Sequence, residues 1–406
     1  MRLLISFTAL FASVVLLQLG TGGVAPLDAL SGVHLGFTPA QIGLLGSAHF
    51  VGFFVGCWWA PRLTGTIGHS RAFAAFTGAG TVGILAHMLI VDPLAWAVMR
   101  VASGMCVAGC YTIIEAWLQA KVTNATRGRA MATYRVVDIL GSLGAQLFIG
   151  VLEPASYVSY NLLAIICCAA LFPVTLTRAV PPATAEAPRL RPGRAWRLSP
   201  LAAAAVVVSG VAGAAFRMLG PVYGIEVGLT ADRIALFLAA FVLGGALAQL
   251  PVGWLADRFD RRKVLIWLSL AAVLACAATV AMADRGAFWV YLTAALFGLA
   301  TFPLYSVAAA HAHDQADPME RVELSASLLF IYAAGAIGSP LLTAQLIAFF
   351  GPAAMFWLIA LAHAWLCVFG LMRMRARPSP GRRTRYQYVP RTSFLVGRLL
   401  RRNRDE

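Results

Sequence analysis

The sequence predicts an all-α membrane protein: twelve transmembrane helices in two pseudo-symmetric six-helix halves, with both termini cytoplasmic. Three observations predict it. The first is composition: 60% of the 406 residues are hydrophobic, only 12% are charged, and the mean hydropathy is +0.77. Average globular chains are roughly 45–50% apolar and about 25% charged. So apolar a chain lacks the polar surface of a soluble enzyme, a disordered protein or a secreted disulfide scaffold. The second is a set of long apolar runs. The third is a repeat of about 192–194 residues.

A membrane-crossing helix needs roughly 20 apolar residues. Twelve such runs are expected, at 3–28, 41–62, 72–91, 94–117, 130–152, 157–178, 200–225, 232–255, 264–283, 287–310, 323–348 and 353–373. The first follows Arg2 like a signal peptide but is too long for an h-region, so it reads as a retained helix. All seven cysteines fall inside apolar runs, so they read as small apolar filler rather than as a disulfide or zinc framework.

Lys and Arg orient the runs. With both termini cytoplasmic, 27 of the 32 basic residues fall on the cytoplasmic side. Only Arg233 and Arg285 lie outside, while Arg100, Arg135 and Arg217 lie within runs. The net charge of +15 is mostly a C-terminal tail and loops beside apolar runs, so nucleic acid is not an expected partner.

The repeat places Thr38 on Thr230, Gly52 on Gly244, Asp92 on Asp284, Gly104 on Gly298 and Tyr111 on Tyr305. It divides the chain into 1–178, a Pro/Arg-rich cytoplasmic linker 179–199, 200–373 and a basic tail 374–406. Two parallel six-helix units are an architecture of rocking secondary transporters. Pro26 and Pro221, each beside glycines, are 195 residues apart. Matched Gly/Pro interruptions point to a midplane site, although close packing through small residues would use the same sequence. Tyr111, Tyr305, Gln18 and Tyr223 could line such a cavity.

The segment 253–263, GWLADRFDRRK, resembles the G-x-x-x-D-R-x-G-R-R loop of the major facilitator superfamily, with Asp260 replacing the second Gly. It supplies Gly253, Asp257, Arg258, Arg261 and Arg262, with the arginines expected in the headgroup region. The first-half counterpart keeps only Gly68 and Arg71. Glu115-Ala-Trp-Leu, Arg127-Gly-Arg129, Tyr134, Leu304-Tyr305, Tyr332, Gly335, Gly338 and Pro340 resemble the YcaD-like group within that superfamily. The resemblance covers the twelve runs but not the tail. It implies a transporter of the bacterial inner membrane, multi-pass, without naming a substrate. The fifth run lacks the Gly-Pro ending of the drug/proton antiporters, which weakens a drug-efflux assignment.

Charges within a bilayer cost at least ~2.5–3.5 kcal/mol at mid-depth. In the superfamily an Arg followed four residues later by Gly, here Arg100 and Gly104, often serves proton coupling; a snorkelling Arg is the alternative. Asp138 is the carboxylate expected nearest to it, unless it neutralises Arg135 one turn away. Glu115 is expected to pair with Arg62, Arg71 or Arg129 as a cytoplasmic gate or structural ion pair, rather than to bind substrate. Arg217 suits an anionic substrate or a distant helix partner. Asp257 is expected to meet Thr126–Ala130, with Arg127 or Arg129, when the cytoplasmic side is closed. His311, His313 and Asp314 do not share a helical face, so no metal site is expected there. The tail segment 391–404 suits an interfacial helix on anionic lipid or a disordered basic tail.

The function expected is secondary active transport of a small molecule by alternating access, coupled to protons. No ATP-binding sequence G-x-x-x-x-G-K-[ST] and no H-E-x-x-H or intramembrane-protease set occurs, so neither an enzyme nor direct ATP drive is expected. A receptor or scaffold, or an uncoupled facilitator, is the alternative. The expected partners are substrate, protons, the bilayer and anionic lipids at the tail; no cofactor is expected, and the chain is expected to be a monomer.

Overall fold

The computed structural model describes residues 2–122, 127–176, 188–376, 386, 389 and 391–395. Their secondary structure is helical: α1 (Arg2–Gly22), α2 (Val24–His34), α3 (Pro39–Ile67), α4 (His69–Ala86), α5 (Pro93–Lys121), α6 (Arg127–Phe148), α7 (Tyr157–Ala169), α8 (Leu171–Thr175), α9 (Pro192–Leu198), α10 (Pro200–Glu226), α11 (Ala231–Leu247), α12 (Gln249–Arg258), α13 (Arg261–Ala281), α14 (Ala287–Thr301), α15 (Leu304–His313), α16 (Arg321–Phe350) and α17 (Ala354–Ala376).

Eleven helical stretches among the described residues are long and apolar enough to cross a bilayer, rather than the twelve expected. The run at 72–91 is the exception. It forms the 18-residue α4, interrupted by His69, Ser70 and Arg71 at one end and five small glycine or alanine residues in its middle. The first stretch is longer than expected. It continues to His34, with only a turn at Gly23, so Asp28 lies inside helix rather than at its mouth.

Local chemistry sets the helix starts. Thr38 and Gln41 form a reciprocal capping box for α3, and Pro39 opens it. Asp92 accepts from the amides of Leu94 and Ala95 to start α5. Gly68 links α3 to α4 at φ +82°, ψ 165°, a conformation open to glycine. The residue at the repeat-related place, Asp260, has φ −60° and its carboxylate caps α13 through the Arg262 amide. That explains the departure from the loop pattern: this turn needs a cap, not a positive φ.

The repeat is visible as one crossing made twice. Where α3 crosses α5, a Cβ on Gly52 would lie 2.0 Å from the Val101 carbonyl, and one on Gly104 would lie 2.0 Å from that of His49. Where α11 crosses α14, a Cβ on Gly244 would meet the Ala295 carbonyl at 1.9 Å, and one on Gly298 that of Phe241 at 2.0 Å. No side chain fits such gaps, so backbones meet directly, as small-residue interfaces in membranes allow.

The expected break at Pro221 does not occur. The helix α10 runs unbroken through it. Proline removes the hydrogen bond to the carbonyl four residues earlier, that of Arg217, but neighbouring helices tolerate this in a membrane bundle. Nor is all of 179–199 a linker loop. Its end forms α9, fastened to Glu320, just before α16, by Arg194 at 2.5 Å and to α16 itself by the Arg191 amide on Ser327.

Candidate transport cleft

The helices up to α8 and those from α10 onward meet at one end. There a Cβ on Gly43 would touch the Pro340 carbonyl and Ala344, one on Gly46 would touch Met218 and Pro340, and one on Gly150 would touch Asp232 and Ala235. Toward the other end, which carries the Arg-rich turns, the two groups are bridged by chain from the C-terminus. Four polar clusters lie in and beside the space between, the first of them buried inside the first helix group.

The deepest cluster surrounds Asp28, a fully buried carboxylate on α2. Arg100 Nε lies 3.4 Å from its Oδ2, and His87 Nε2 lies 3.5 Å from its Oδ1. The Tyr160 hydroxyl donates to Oδ1 at 2.9 Å, and its ring stacks on His87 at 5.1 Å. Arg100 also donates to Ser103, which contacts His49. Arg100 is therefore not snorkelling: it is 2% exposed and paired. Its carboxylate is Asp28, not Asp138. The sequence held a signal for this, because Asp28 is the sole carboxylate in the first 91 residues.

The second cluster joins α1, α5 and α6. Asp138 accepts from Gln18 at 2.7 Å and from the Tyr111 hydroxyl at 2.6 Å. Arg135, the neighbour expected to neutralise it, is not among these partners. Gln18 and Tyr111 thus meet on one carboxylate. Tyr223 does not join them; its hydroxyl reaches the Thr279 carbonyl.

The third cluster is Glu115, fully buried on α5. It accepts from Tyr134 at 3.2 Å and from the hydroxyls of Thr392 and Ser393. The expected arginine partners are elsewhere. Arg62 packs over Trp58 and donates to its carbonyl, and Arg71 and Arg129 are exposed. The side chain of Arg127 lies outside the described residues.

The fourth cluster is cationic and aromatic. Arg217, two-thirds of the way along α10, is exposed to the cleft, and Tyr332, Asp138 and Tyr111 are the acidic groups within its electrostatic reach. Arg391 donates to Ser209 at 3.2 Å and lies 5.3 Å from the ring centre of Tyr332 and 5.5 Å from that of Phe302. Tyr305 packs edge-on to Tyr332 at 5.7 Å. Pro26 lies in the first turn of α2, buried near the first cluster's helix.

The loop residues also differ from expectation. Asp257 accepts from the Tyr386 amide at 2.5 Å and pairs with Arg261 at 3.5 Å. Its expected contact with Thr126–Ala130 falls partly outside the described residues. Arg261 is not in the headgroup region: it is 1% exposed and donates to Asp314 at 2.7 Å and to the Ala310 carbonyl at 2.9 Å. Arg262 is buried against Asp260, and Arg258 stacks on Trp254. Gly253 leaves room for the Tyr386 ring, which a Cβ would meet at 2.9 Å. The tail reading is corrected as well. Phe394 and Leu395 are 3% and 4% exposed, buried against membrane-spanning helices rather than laid on lipid. Residues 396–404 of the expected interfacial helix lie outside the described residues.

Helices packed at one end, a cleft toward the other and ionisable side chains buried between them define a membrane transporter rather than an enzyme. The chain belongs to the Major Facilitator Superfamily, whose family profile matches residues 6–232 and 201–404. It is 28% identical over 379 residues to an uncharacterized MFS-type transporter of Enterobacter sp. (strain 638), covering 91% of this chain and 96% of that one. It is 27% identical over 330 residues to the uncharacterized MFS-type transporter YcaD of Escherichia coli O6:K15:H31 (strain 536 / UPEC), covering 79% and 83%. Among solved structures, the nucleoside transporter NupG superposes with a TM-score of 0.75 at 13% identity, covering 93% of this chain and 100% of that chain. A bacterial homolog of the human lysosomal transporter Spinster, inward-facing and occupied, gives 0.68 at 16% identity, covering 97% and 95%. These structures share the fold.

Proposed function

We propose that the chain is a secondary active transporter that moves a small molecule across the bacterial inner membrane by alternating access, coupled to protons. In this reading it is a monomer of twelve spans with both termini cytoplasmic, α4 being the twelfth. Residues 1–178 and 200–373 are the two rocking halves, and the Arg-rich end faces the cytoplasm, with anionic lipid near the tail. One observation carries the reading: at one end the two helix groups pack backbone to side chain through Gly43, Gly46 and Gly150, while toward the other their described contacts run through side chains and the C-terminal segment, with Phe54 on Phe330 at 5.0 Å and Thr392 and Ser393 on Glu115. We read this asymmetry as that of an inward-facing state. The buried set Asp28, Arg100, His87 and Tyr160 supplies the candidate coupling residues, a carboxylate held among an arginine, a histidine and a tyrosine hydroxyl. Asp138, Tyr111, Gln18 and Arg217 supply the substrate-side polar surface, with Tyr305 behind them. Asp257, with Arg127 and Arg129, would form the cytoplasmic gate contact when that end closes.

The test is flux. Purified protein is reconstituted into vesicles holding a pH-sensitive dye, and compounds that raise its melting temperature are added outside. A stabilising compound should dissipate an imposed pH gradient, and Arg100→Ala should abolish uphill accumulation. A compound that stabilises the protein strongly but moves neither itself nor protons would favour a receptor. Substrate movement without proton movement would favour a facilitator.

A further inference from the structure

The cleft is occupied by the chain itself. Described residues of the C-terminal segment touch both helix groups. The Tyr386 amide reaches Asp257, Val389 exchanges hydrogen bonds with Ser306, and Phe394 packs on Phe54 at 6.1 Å. Between these anchors Arg391 enters the aromatic pocket, and Thr392 and Ser393 take Glu115. We propose that Ser209, Phe302 and Tyr332 form a binding site for a small organic cation, with Glu115 accepting donors carried beside the charge. Residues 391–393 fill this site as a tethered ligand that a free one must displace. The proposal rests on the transporter reading for its physiological meaning, but not for its test.

The chemistry is specific. A guanidinium is planar and weakly hydrated, so it stacks on aromatic faces and donates in its plane at the same time. Arg391 does both, with rings 5.3 and 5.5 Å away and the Ser209 oxygen 3.2 Å away. Gly213 lies beside it: a Cβ there would be in ordinary contact, 3.7 Å from its Nη1. The place is deep, since Ser209 and Gly213 lie near the middle of the 27-residue α10. Glu115 makes the second point. A fully buried carboxylate requires donors, and two of its three come from the tail. When the tail leaves, Tyr134 alone remains, so the vacated site attracts a positive group with hydroxyl or amide donors at its side. Asp138 already accepts from Gln18 and Tyr111, which leaves Glu115 as the carboxylate for an incoming cation, although Arg217 lies within electrostatic reach of Arg391 and so of the same site. A tethered competitor has a high local concentration, on the order of millimolar for short linkers, so it hides the site from weak ligands.

Agmatine, a free guanidinium amine, is the probe, titrated calorimetrically into the purified full-length chain. Arg391→Ala should bind it about tenfold more tightly, the factor for a tail that holds the site nine-tenths of the time. Adding Tyr332→Ala should remove that gain. N-acetyl-Arg-Thr-Ser-amide should compete with agmatine, while the same peptide with neutral citrulline in place of arginine should not. Equal affinity of the native and Arg391→Ala chains, no agmatine binding by either, or equal competition by the citrulline peptide would each overturn the site. Arg391→Gln replaces Arg391→Ala if the alanine variant does not elute as a single species. Binding in this pattern without flux in vesicles would defeat the transporter reading alone. Flux of another compound without agmatine binding would defeat the site alone.

Discussion

Arg100→Met strips a fully buried carboxylate of its cation. Asp28 has no exposed area, and Arg100 is 2% exposed. Breaking a buried pair by removing one partner costs roughly 3–5 kcal/mol, because the remaining charge stays in a low-dielectric site. Two contacts argue for the lower end of that range. The Tyr160 hydroxyl still donates to Oδ1 at 2.9 Å, and His87 stands 3.5 Å away. The expected loss is therefore about 3 kcal/mol, roughly a hundredfold in the folded-to-unfolded ratio. Met is chosen because it fills the stem volume of Arg without its charge. The rescue is the discriminating part. In Asp28→Asn/Arg100→Met the buried charge is gone, and replacing a whole buried pair with neutral groups is often close to neutral. Equilibrium unfolding in SDS–detergent mixtures gives all four corners of the double-mutant cycle. A coupling of about 2 kcal/mol or more supports the pair. A single-variant loss under about 1 kcal/mol, or two losses that simply add, would show that Asp28 and Arg100 do not depend on one another.

Four further outcomes are expected. With the native cysteines replaced, cysteines at Asp284 and Ala231 should react with impermeant thiol reagents from outside the cell and one at Arg191 should not; the reverse pattern would invert the topology. Gly68→Ala should cost about 1–3 kcal/mol in the same unfolding assay, because φ +82° with extended ψ is open to glycine alone, while Gly78→Ala, which meets no neighbour within 4 Å, should be neutral or mildly stabilising. Asp314→Asn should destabilise through Arg261, which is left 1% exposed and without its carboxylate at 2.7 Å, and Arg261→Met in the same chain should recover much of that loss. Asp257→Asn should weaken both its Tyr386 contact and any closed-state gate, so spin labels at Thr66 and Arg321 should report longer distances; an unchanged distribution in a folded protein would remove Asp257 from gating.

What was legible in the sequence was what repeats or is periodic. Gly52 and Gly104 could be matched to Gly244 and Gly298 without coordinates, and each pair does occupy a helix crossing tolerating no Cβ. The apolar runs were legible for the same reason, except where α4 is diluted by small and polar residues. Pairing was less legible. Arg100 and Asp28 are 72 positions apart, and Asp28 was hidden by placing the end of the first helix six residues early. Glu115 was expected to meet an arginine, yet two of its three partners are hydroxyls from nearly 280 residues away. The tail misled most: alternating Arg with Phe and Leu describes a lipid-surface helix and a cleft-filling segment equally well. Nothing local separates them, because the difference is which apolar surface is offered.

Because Phe394 and Leu395 are seated inside the molecule, the point of attachment for anything fused to the C-terminus is fixed. Residues 396–406 come after them, and eleven residues reach at most about 40 Å when fully extended. A fluorescent protein or an affinity handle placed after Glu406 is therefore tethered within that reach of the cleft mouth, and a resin that captures it pulls on the seated segment. Ligand screens run on such a fusion would sample a different occupancy from screens on the untagged chain. A handle placed at the other terminus would leave the mouth unencumbered, so identical binding curves from the two formats would be informative about how firmly the segment is held.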